Sequence, residues 1–255
     1  MARRAVQPRV AESRAVTYGA AMPELVGHVA AITRFPVKSM AGEALEEALF
    51  DWQGIEGDRQ WALVKSGDLT RFPWFTGRDL SDLVRWSATY DDPADPRRSG
   101  VSVAAPDGER WAIGDEALRR SLEARVGRAV TPMQLGRGMH DAMPVSIAST
   151  ASFAALDQAH GAALDPRRFR TNIVVESVVR EGDWPGRRVR FGEGAAVLLA
   201  DAAPRCAMVT IDPDTAERDP RVLRTVAQSF GAAFATYASV SRPGVARVGD
   251  GVWVE

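Results

Sequence analysis

Apolar residues in this chain gather mainly in short runs, and long helical stripes are scarce. Leu25 to Val37 alternates irregularly, is rich in Val, Ile and Phe, and breaks at Phe35-Pro36, which predicts a strand. Leu45, Ala48, Phe50 and Trp52 predict another in the second half of Ala44 to Trp52. Gly54-Ile55-Glu56-Gly57-Asp58-Arg59 reads as a tight turn before a strand over Trp61 to Val64. Val101 to Ala105 and Arg110 to Ile113 flank Pro106-Asp107-Gly108, whose Asp-Gly step is a strong hairpin signal. Asn172 to Val175 and Ala195 to Leu199 are short enough to be buried strands, and Val245 to Val254 reads as a closing hairpin.

Helical signals are few. Asp115 is placed to cap Glu116 to Val126, where Leu118, Leu122 and Val126 recur at helical spacing before Gly127. Ser149 or Thr150 opens a second helix through Ala159, with Phe153 and Leu156 facing inward and Gly161 ending it. Asp219-Pro220 opens a third, whose face is Val222, Leu223, Val226 and Phe230 and whose stop is Gly231. The expected fold class is therefore α+β and β-rich, a β-barrel architecture with a few covering helices. No Gly-x-Gly-x-x-Gly follows a strand, which argues against a dinucleotide-binding domain. Asp91 to Gly100, with two prolines and mixed charge, reads as a solvated loop, and residues 1–23 as a loosely ordered tail.

Composition narrows the function classes. Lys and Arg total 32 against 33 Asp and Glu, so no electrostatic case for nucleic acid arises. No apolar run approaches the ~20 residues of a membrane helix. The arginine-bearing start is interrupted by Pro8 and Glu12 and lacks the apolar core of a secretory signal. A single cysteine gives no disulfide framework, and a cytoplasmic location is expected.

That cysteine, Cys206, is inert packing, a nucleophile or a metal ligand. Arg205 beside it favours the thiolate, and Asp212-Pro213-Asp214-Thr215 marks a turn downstream, near a strand end where sites are built. Four segments combine cations with small polar groups: Pro36-Val37-Lys38-Ser39, Gly57-Asp58-Arg59, Arg167 to Asn172, and Arg205-Cys206. Arginine forks, hydroxyls and helix-start N–H groups such as Ser149-Thr150 suit a phosphate-bearing ligand. The ordinary alternatives are a solvated Lys38, an Arg59 paired with Asp58, and a surface pair Arg167 and Arg168. His28, His140 and His160 show no zinc-ligand spacing, while His140, in a glycine-bearing loop, is a candidate partner for the thiol.

Ile32-Thr33-Arg34-Phe35-Pro36-Val37-Lys38-Ser39-Met40, followed by Gly57-Asp58-Arg59-Gln60-Trp61, resembles the N-terminal β-barrel domain that precedes MOSC domains. Asp165 to Val175 resembles the Phe-Arg-Pro-Asn-Ile motif of the MOSC family, Arg205-Cys206 its cysteine loop, and Arg247-Val248-Gly249-Asp250 its closing strand. The resemblance implies two packed barrel-like lobes, an N-terminal one over 24–130 and a MOSC domain over 131–255 with a pyruvate-kinase-insert-like barrel. It implies a molybdenum cofactor (Mo-molybdopterin) with Cys206 as catalytic metal ligand. Arg170, Asn172 and Arg205 would hold the molybdopterin, joined by Lys38, Ser39 and Arg59 from the first lobe. Ser149 and Thr150 would face the pterin phosphate. Thr171 replaces the family's proline, and Pro204 stands where a small polar residue is usual.

The implied activity is reduction of N-hydroxylated compounds such as amidoximes and hydroxylamines. Its electrons would come from an external flavin, haem or iron–sulfur protein, since a fused ferredoxin domain and a membrane anchor are not expected. The alternatives are a non-catalytic cofactor carrier or sulfur-handling protein, and a MOSC-like fold without cofactor.

Overall fold

The computed structural model describes residues 22–184 and 186–255. The tail expected over 1–23 lies, through residue 21, outside the described residues.

Seven strands close a barrel. Their hydrogen-bonded order is Ile173–Glu176, Val145–Ser149, Ala233–Arg242, Ala196–Pro204, Arg188–Phe191, Gly251–Val254 and Glu24–Arg34, and the last pairs back onto the first. All neighbours are antiparallel except Val145–Ser149 with Ile173–Glu176. Those two are parallel because the helix Thr150–His160 carries the chain back between them. Alternate residues fill the interior, among them Val29, Ile32, Ile147, Val175, Phe191 and Val197. Ala48, Phe50 and Ile55 of a small sheet formed by Glu47–Asp51, Gly54–Ile55 and Gly244–Arg247 join the same core.

A second lobe contains two further three-stranded sheets. One is Trp61–Lys65 with Trp74–Phe75 and Val130–Gln134, the other Ser87–Tyr90 with Val101–Ala104 and Arg110–Ala112. They pack with the helix Glu116–Val126 around Trp86, Phe75, Leu83, Leu118 and Leu122. A third cluster, centred on Phe153, Phe169 and Phe234, seats the helices Thr150–His160 and Pro220–Ser229 on the barrel.

The β-rich class with covering helices is as the sequence reads. The helix starts agree as well, with Ser149 accepting from Ser152 N and Asp219 from Arg221 N. Asp115 precedes its helix without capping it, because its carboxylate accepts from Ala112 N at 2.9 Å. The helix opened by Ser149 runs through His160, one residue beyond the expected Ala159. Asp91 to Gly100 is largely exposed, apart from a buried Pro96.

The closing hairpin does not form. Gly244–Arg247 pairs with Glu47–Asp51, whereas Gly251–Val254 pairs with Glu24–Arg34 and Arg188–Phe191. The connection between them is held by the first barrel strand instead: Gly249 N donates to Val29 O and Val29 N to Asp250 O, at 2.8 and 2.9 Å.

Candidate functional site

The chain leaves the barrel at Phe35-Pro36 and plunges into the second lobe. Val37 and Met40 are fully buried there, and Lys38 N donates to Trp61 O at 2.8 Å. Between these two anchors Lys38 and Ser39 are presented to a cavity of about 210 Å³ where the lobes meet. Gly57-Asp58-Arg59 reaches the same cavity because buried Asp58 ties it down, accepting from Phe35 N at 2.8 Å and from the Arg59 guanidinium. The 3₁₀ turn Pro166–Phe169, capped by Asp165, ends at Arg170 and delivers it and Asn172. Arg205 and Cys206 follow the long strand Ala196–Pro204, with Cys206 opening the 3₁₀ turn Ala207–Thr210.

The backbone at this site is shaped for the purpose. Among the described residues, six non-glycine residues have positive φ, and Ser39, Arg59 and Arg170 are three of them. Such conformations carry roughly 1–3 kcal/mol of strain each and cluster where side chains must be aimed.

The electrostatics are unusual. Six cations line the cavity, namely Lys38, Arg59, Arg78, Arg168, Arg170 and Arg205, against the single carboxylate of Asp141. Burial pushes the Arg170 pKa down to about 9, with Arg59 adding to the effect, and burial pushes Arg205 down to about 10. Lys38 Nζ donates to Met139 O at 2.8 Å and to Asp141 Oδ1 at 2.6 Å. Burial lowers the Lys38 pKa, and Asp141 offsets part of the shift. Burial opposes ionisation of Asp141, yet Lys38, Arg59 and Arg78 hold its pKa below the usual carboxylate range.

Backbone carbonyls hold the forks in place. Arg170 Nη1 donates to Met40 O at 2.6 Å, Arg59 Nη2 to Arg170 O at 3.0 Å, and Arg205 Nη1 to Phe169 O at 2.9 Å. Phe35 gives a second support, lying 4.4 Å from the Arg59 guanidinium carbon and 4.3 Å from that of Arg170. Two guanidinium nitrogens, Arg168 Nε and Arg170 Nη2, are buried with no hydrogen-bond partner among the described residues. Like charges gathered this closely, with donors left over, repel one another, and an anion placed among them would relieve that repulsion.

Seven of the nine residues singled out in the sequence line the cavity: Lys38, Ser39, Arg59, Arg170, Asn172, Arg205 and Cys206. Cys206 is exposed, which removes the inert-packing reading. Asn172 is held by two barrel strands, donating through Nδ2 to Thr33 O and accepting at Oδ1 from Ser146 N.

Ser149 and Thr150 are not brought to the cavity. Ser149 is fully buried, and its N–H and hydroxyl both donate to Glu181 Oε2 at 2.8 Å. Ser152 Oγ donates to the same oxygen at 2.6 Å, so an internal carboxylate already supplies the anion that a helix start favours. Thr150 Oγ1 donates to Ser177 O at 3.0 Å.

Sequence reasoning missed Arg78, Phe72, Asp141 and Tyr237, and left Arg168 open between a candidate ligand segment and a surface pair; all five line the cavity. Arg78, Phe72, Asp141 and Tyr237 lie outside any motif, although Phe72 belongs to the aromatic stretch Phe72-Pro73-Trp74-Phe75, whereas Arg168 sits inside the Asp165 to Val175 motif. His140 lines the cavity too, but its Nδ1 faces Asp58 Oδ2 at 3.9 Å, and no hydrogen bond to Cys206 is found among the described residues.

Comparison with known proteins follows the same division. The family model for the MOSC N-terminal beta barrel domain matches residues 26–132, and that for the MOSC domain matches 134–253. The chain is 26% identical to mitochondrial amidoxime reducing component 2 of Bos taurus, over 89% of this chain and 83% of that protein. It is 24% identical to mitochondrial amidoxime-reducing component 1 of Mus musculus, over 90% of this chain and 82% of the other. A molybdenum cofactor sulfurase of Drosophila grimshawi is 26% identical over 76% of this chain, which spans only 29% of that longer protein. Among solved structures, the YuaD protein of Bacillus subtilis aligns over 91% of this chain and 97% of its own, at 15% identity and a TM-score of 0.48. The chain belongs to the MOSC family and pairs a MOSC domain with the MOSC N-terminal β-barrel domain.

Proposed function

We propose that this protein binds a molybdenum cofactor in the cationic cavity and reduces N-hydroxylated compounds with electrons from a separate redox protein. The observation that carries the reading is the convergence of Lys38, Arg59, Arg170, Arg205 and the chain's sole thiol on one cavity. The donors fit the group. Unpartnered Arg170 Nη2 and a guanidinium-rich lining suit a phosphorylated, polar pterin, and an exposed, soft sulfur donor suits molybdenum. Among the described residues no three His, Cys, Asp or Glu side chains cluster as a metal site. Cys206 would thus be the chain's own ligand, the others coming from the cofactor. Amidoxime-reducing relatives at low identity support the reductase reading.

When bound, the cofactor supplies two-electron redox chemistry at an N–O bond. The chain's own residues do the rest. Lys38, Arg59, Arg170 and Arg205 hold the anionic group, and Phe35 and the carbonyls of Met40, Phe169 and Phe234 fix their forks. Asp141 accepts from Lys38 Nζ and offsets part of the fall in basicity that burial causes. Reduction of each N-hydroxyl group to N–H and water takes two electrons and two protons, so both must be supplied from outside the cavity.

The test is the full chain produced in a host that makes the cofactor, assayed for molybdenum, pterin and benzamidoxime reduction with an artificial electron donor. Wild type should carry both metal and pterin and turn over. Cys206→Ser should keep the pterin, held chiefly by the arginines, and lose activity by at least the ~100-fold seen for lesser disturbances of metal sites. An active variant with an unchanged molybdenum absorption spectrum would rule out the ligand role. Loaded but inactive wild type would instead indicate a carrier.

A further inference from the structure

One of the six cations in the cavity serves neither a carboxylate nor the cofactor's anionic group. Lys38, Arg59, Arg170 and Arg205 are assigned to that group, and Arg168 is paired with Asp212. Arg78 remains. It is exposed, it forms no ion pair among the described residues, and its Nε reaches Thr76 Oγ1 at 3.4 Å. The turn that carries it, Thr76-Gly77-Arg78, follows the strand Trp74–Phe75 and packs on the segment after Cys206. An added Cβ at Gly77 would lie 3.0 Å from Met208 Cε and Sδ, so Arg78 borders the loop that presents the thiol.

The surroundings of Arg78 disfavour another positive charge. Its guanidinium carbon lies 4.6 Å from the centre of the Phe72 ring, and Lys38 Nζ lies 5.8 Å from it. An aromatic face attracts cations, but this ring already serves two of the chain's own. Arg218 Nη2 donates to Gly77 O at 2.8 Å and to Arg78 O at 3.3 Å, which places a further exposed arginine beside the mouth. The neighbouring carboxylates are engaged. Asp141 accepts from Lys38 Nζ at 2.6 Å, while Asp79 accepts from Thr76 N at 2.9 Å and faces Lys65 Nζ at 3.6 Å. Phe72 itself is 36% exposed, so the same rim keeps an apolar edge open to the body of a guest.

We propose that Arg78, seated on Phe72, selects substrates by charge: the cavity takes uncharged and anionic N-hydroxylated compounds and turns away cationic ones. The inference rests on the reductase reading and adds the substrate class to it. It also bears on product release. Two electrons and two protons convert the C=N–OH group of an amidoxime into C=N–H and water, and the amidine takes a third proton from solvent at neutral pH. Substrate therefore enters uncharged and product leaves as a cation, which Arg78 repels.

The N–OH group must point inward to the thiol, so a para substituent on benzamidoxime reports on the mouth. The probes are the para-carboxy, para-carbamoyl and para-trimethylammonio compounds, reduced by the cofactor-loaded full chain with one artificial electron donor. In wild type kcat/KM should fall in that order, by about 10-fold or more from anion to cation at low salt. Arg78→Gln should bring the three within about 2-fold of one another, and Arg78→Glu should invert the order. Ratios are compared within one variant, so a general loss of activity or loading cancels. Calorimetric titration without electron donor gives a second readout, in which benzamidine should bind Arg78→Glu about 10-fold more tightly than wild type. An order in Arg78→Glu like that of wild type, or an active wild type indifferent to charge, would overturn the proposal alone. Loss of pterin from Arg78→Gln would also overturn it, by assigning Arg78 to the cofactor. Loaded wild type inactive on all three probes would defeat the reductase reading, and the proposal with it.

Discussion

His140 is a nearly buried imidazole placed among Asp58, Asp141, Arg59 and Lys38. Burial, helped by the two cations, outweighs the two carboxylates and pushes its pKa down to about 4. The unfolded chain, with an ordinary value near ~6.5, therefore binds the proton more readily than the folded one. The neutral ring's contribution to stability is complete above ~6.5 and is lost as pH falls from there through about 4. Urea unfolding at about pH 7 and about pH 4.5 should show wild type losing on the order of 2 kcal/mol more than His140→Gln. Equal losses would mean that the imidazole is not held neutral. At this scale the sequence was most informative about motifs that pair a cation with a backbone anchor, as at Lys38, Arg59, Arg170 and Arg205. It was least informative about isolated loop residues such as Arg78 and Asp141, whose chemistry exists only through neighbours from other segments. Ser149 and Thr150 illustrate a different limit. Their helix start favours an anion, as the pattern says, but Glu181, 32 residues beyond Ser149, provides it.

At the scale of elements, the first barrel strand carries two irregularities, between Leu25 and Gly27 and between Val29 and Ala31. They let one strand pair with Gly251–Val254 on one side and Ile173–Glu176 on the other, turning a corner as bulges do. Gly27 sits at the tighter crossing, where an added Cβ would lie 2.1 Å from the Glu176 carbonyl oxygen. Gly27→Ala must move backbone, and it should destabilise the protein by about 3 kcal/mol, the upper range for overpacking. Gly114→Ala, where an added Cβ meets nothing within 4 Å, serves as the control and should stay within ~0.5 kcal/mol of wild type. Similar urea midpoints for the two variants would show that the strand yields at Gly27. The strands that were legible are rich in Val, Ile and Phe, and the helices announced themselves through Ser149, Asp219-Pro220 and Gly127. Ala233–Arg242, which lies between two barrel strands, is much quieter. Ala238 and Val240 lie in the barrel core, whereas Phe234 and Ala235 pack in the cluster under the helices, so no single alternating stripe runs along the strand.

For the whole molecule, the family models divide the chain between residues 132 and 134, whereas the hydrogen bonding crosses that line. Glu24–Arg34 lies on the N-terminal side, yet it is the strand that closes the barrel of the C-terminal side. Val29 and Ile32 are 1% exposed in the barrel core, and Ala48, Phe50 and Ile55 join them from the same N-terminal segment. A linear reading of motifs cannot see this exchange, because register and partner choice are settled by long-range pairing. The site is a consequence of the exchange. The chain crosses from barrel to second lobe at Phe35–Met40, so Lys38 and Ser39 face Arg170 and Cys206 only if the first strand is in place. Residues 131–255 made alone would leave Ile173–Glu176 and Gly251–Val254 as unpaired edges, with a hole where Val29, Ile32 and Phe50 belong. Such a fragment should show no cooperative thermal transition and should aggregate, while residues 22–255 should melt in a single calorimetric transition. Supplying residues 22–58 separately should restore part of the fragment's solubility, because both missing edges are filled by that segment's first strand. A fragment 131–255 that melts cooperatively, with tertiary circular dichroism like that of the same region in the full chain, would show that six strands suffice and that the first strand serves the site alone.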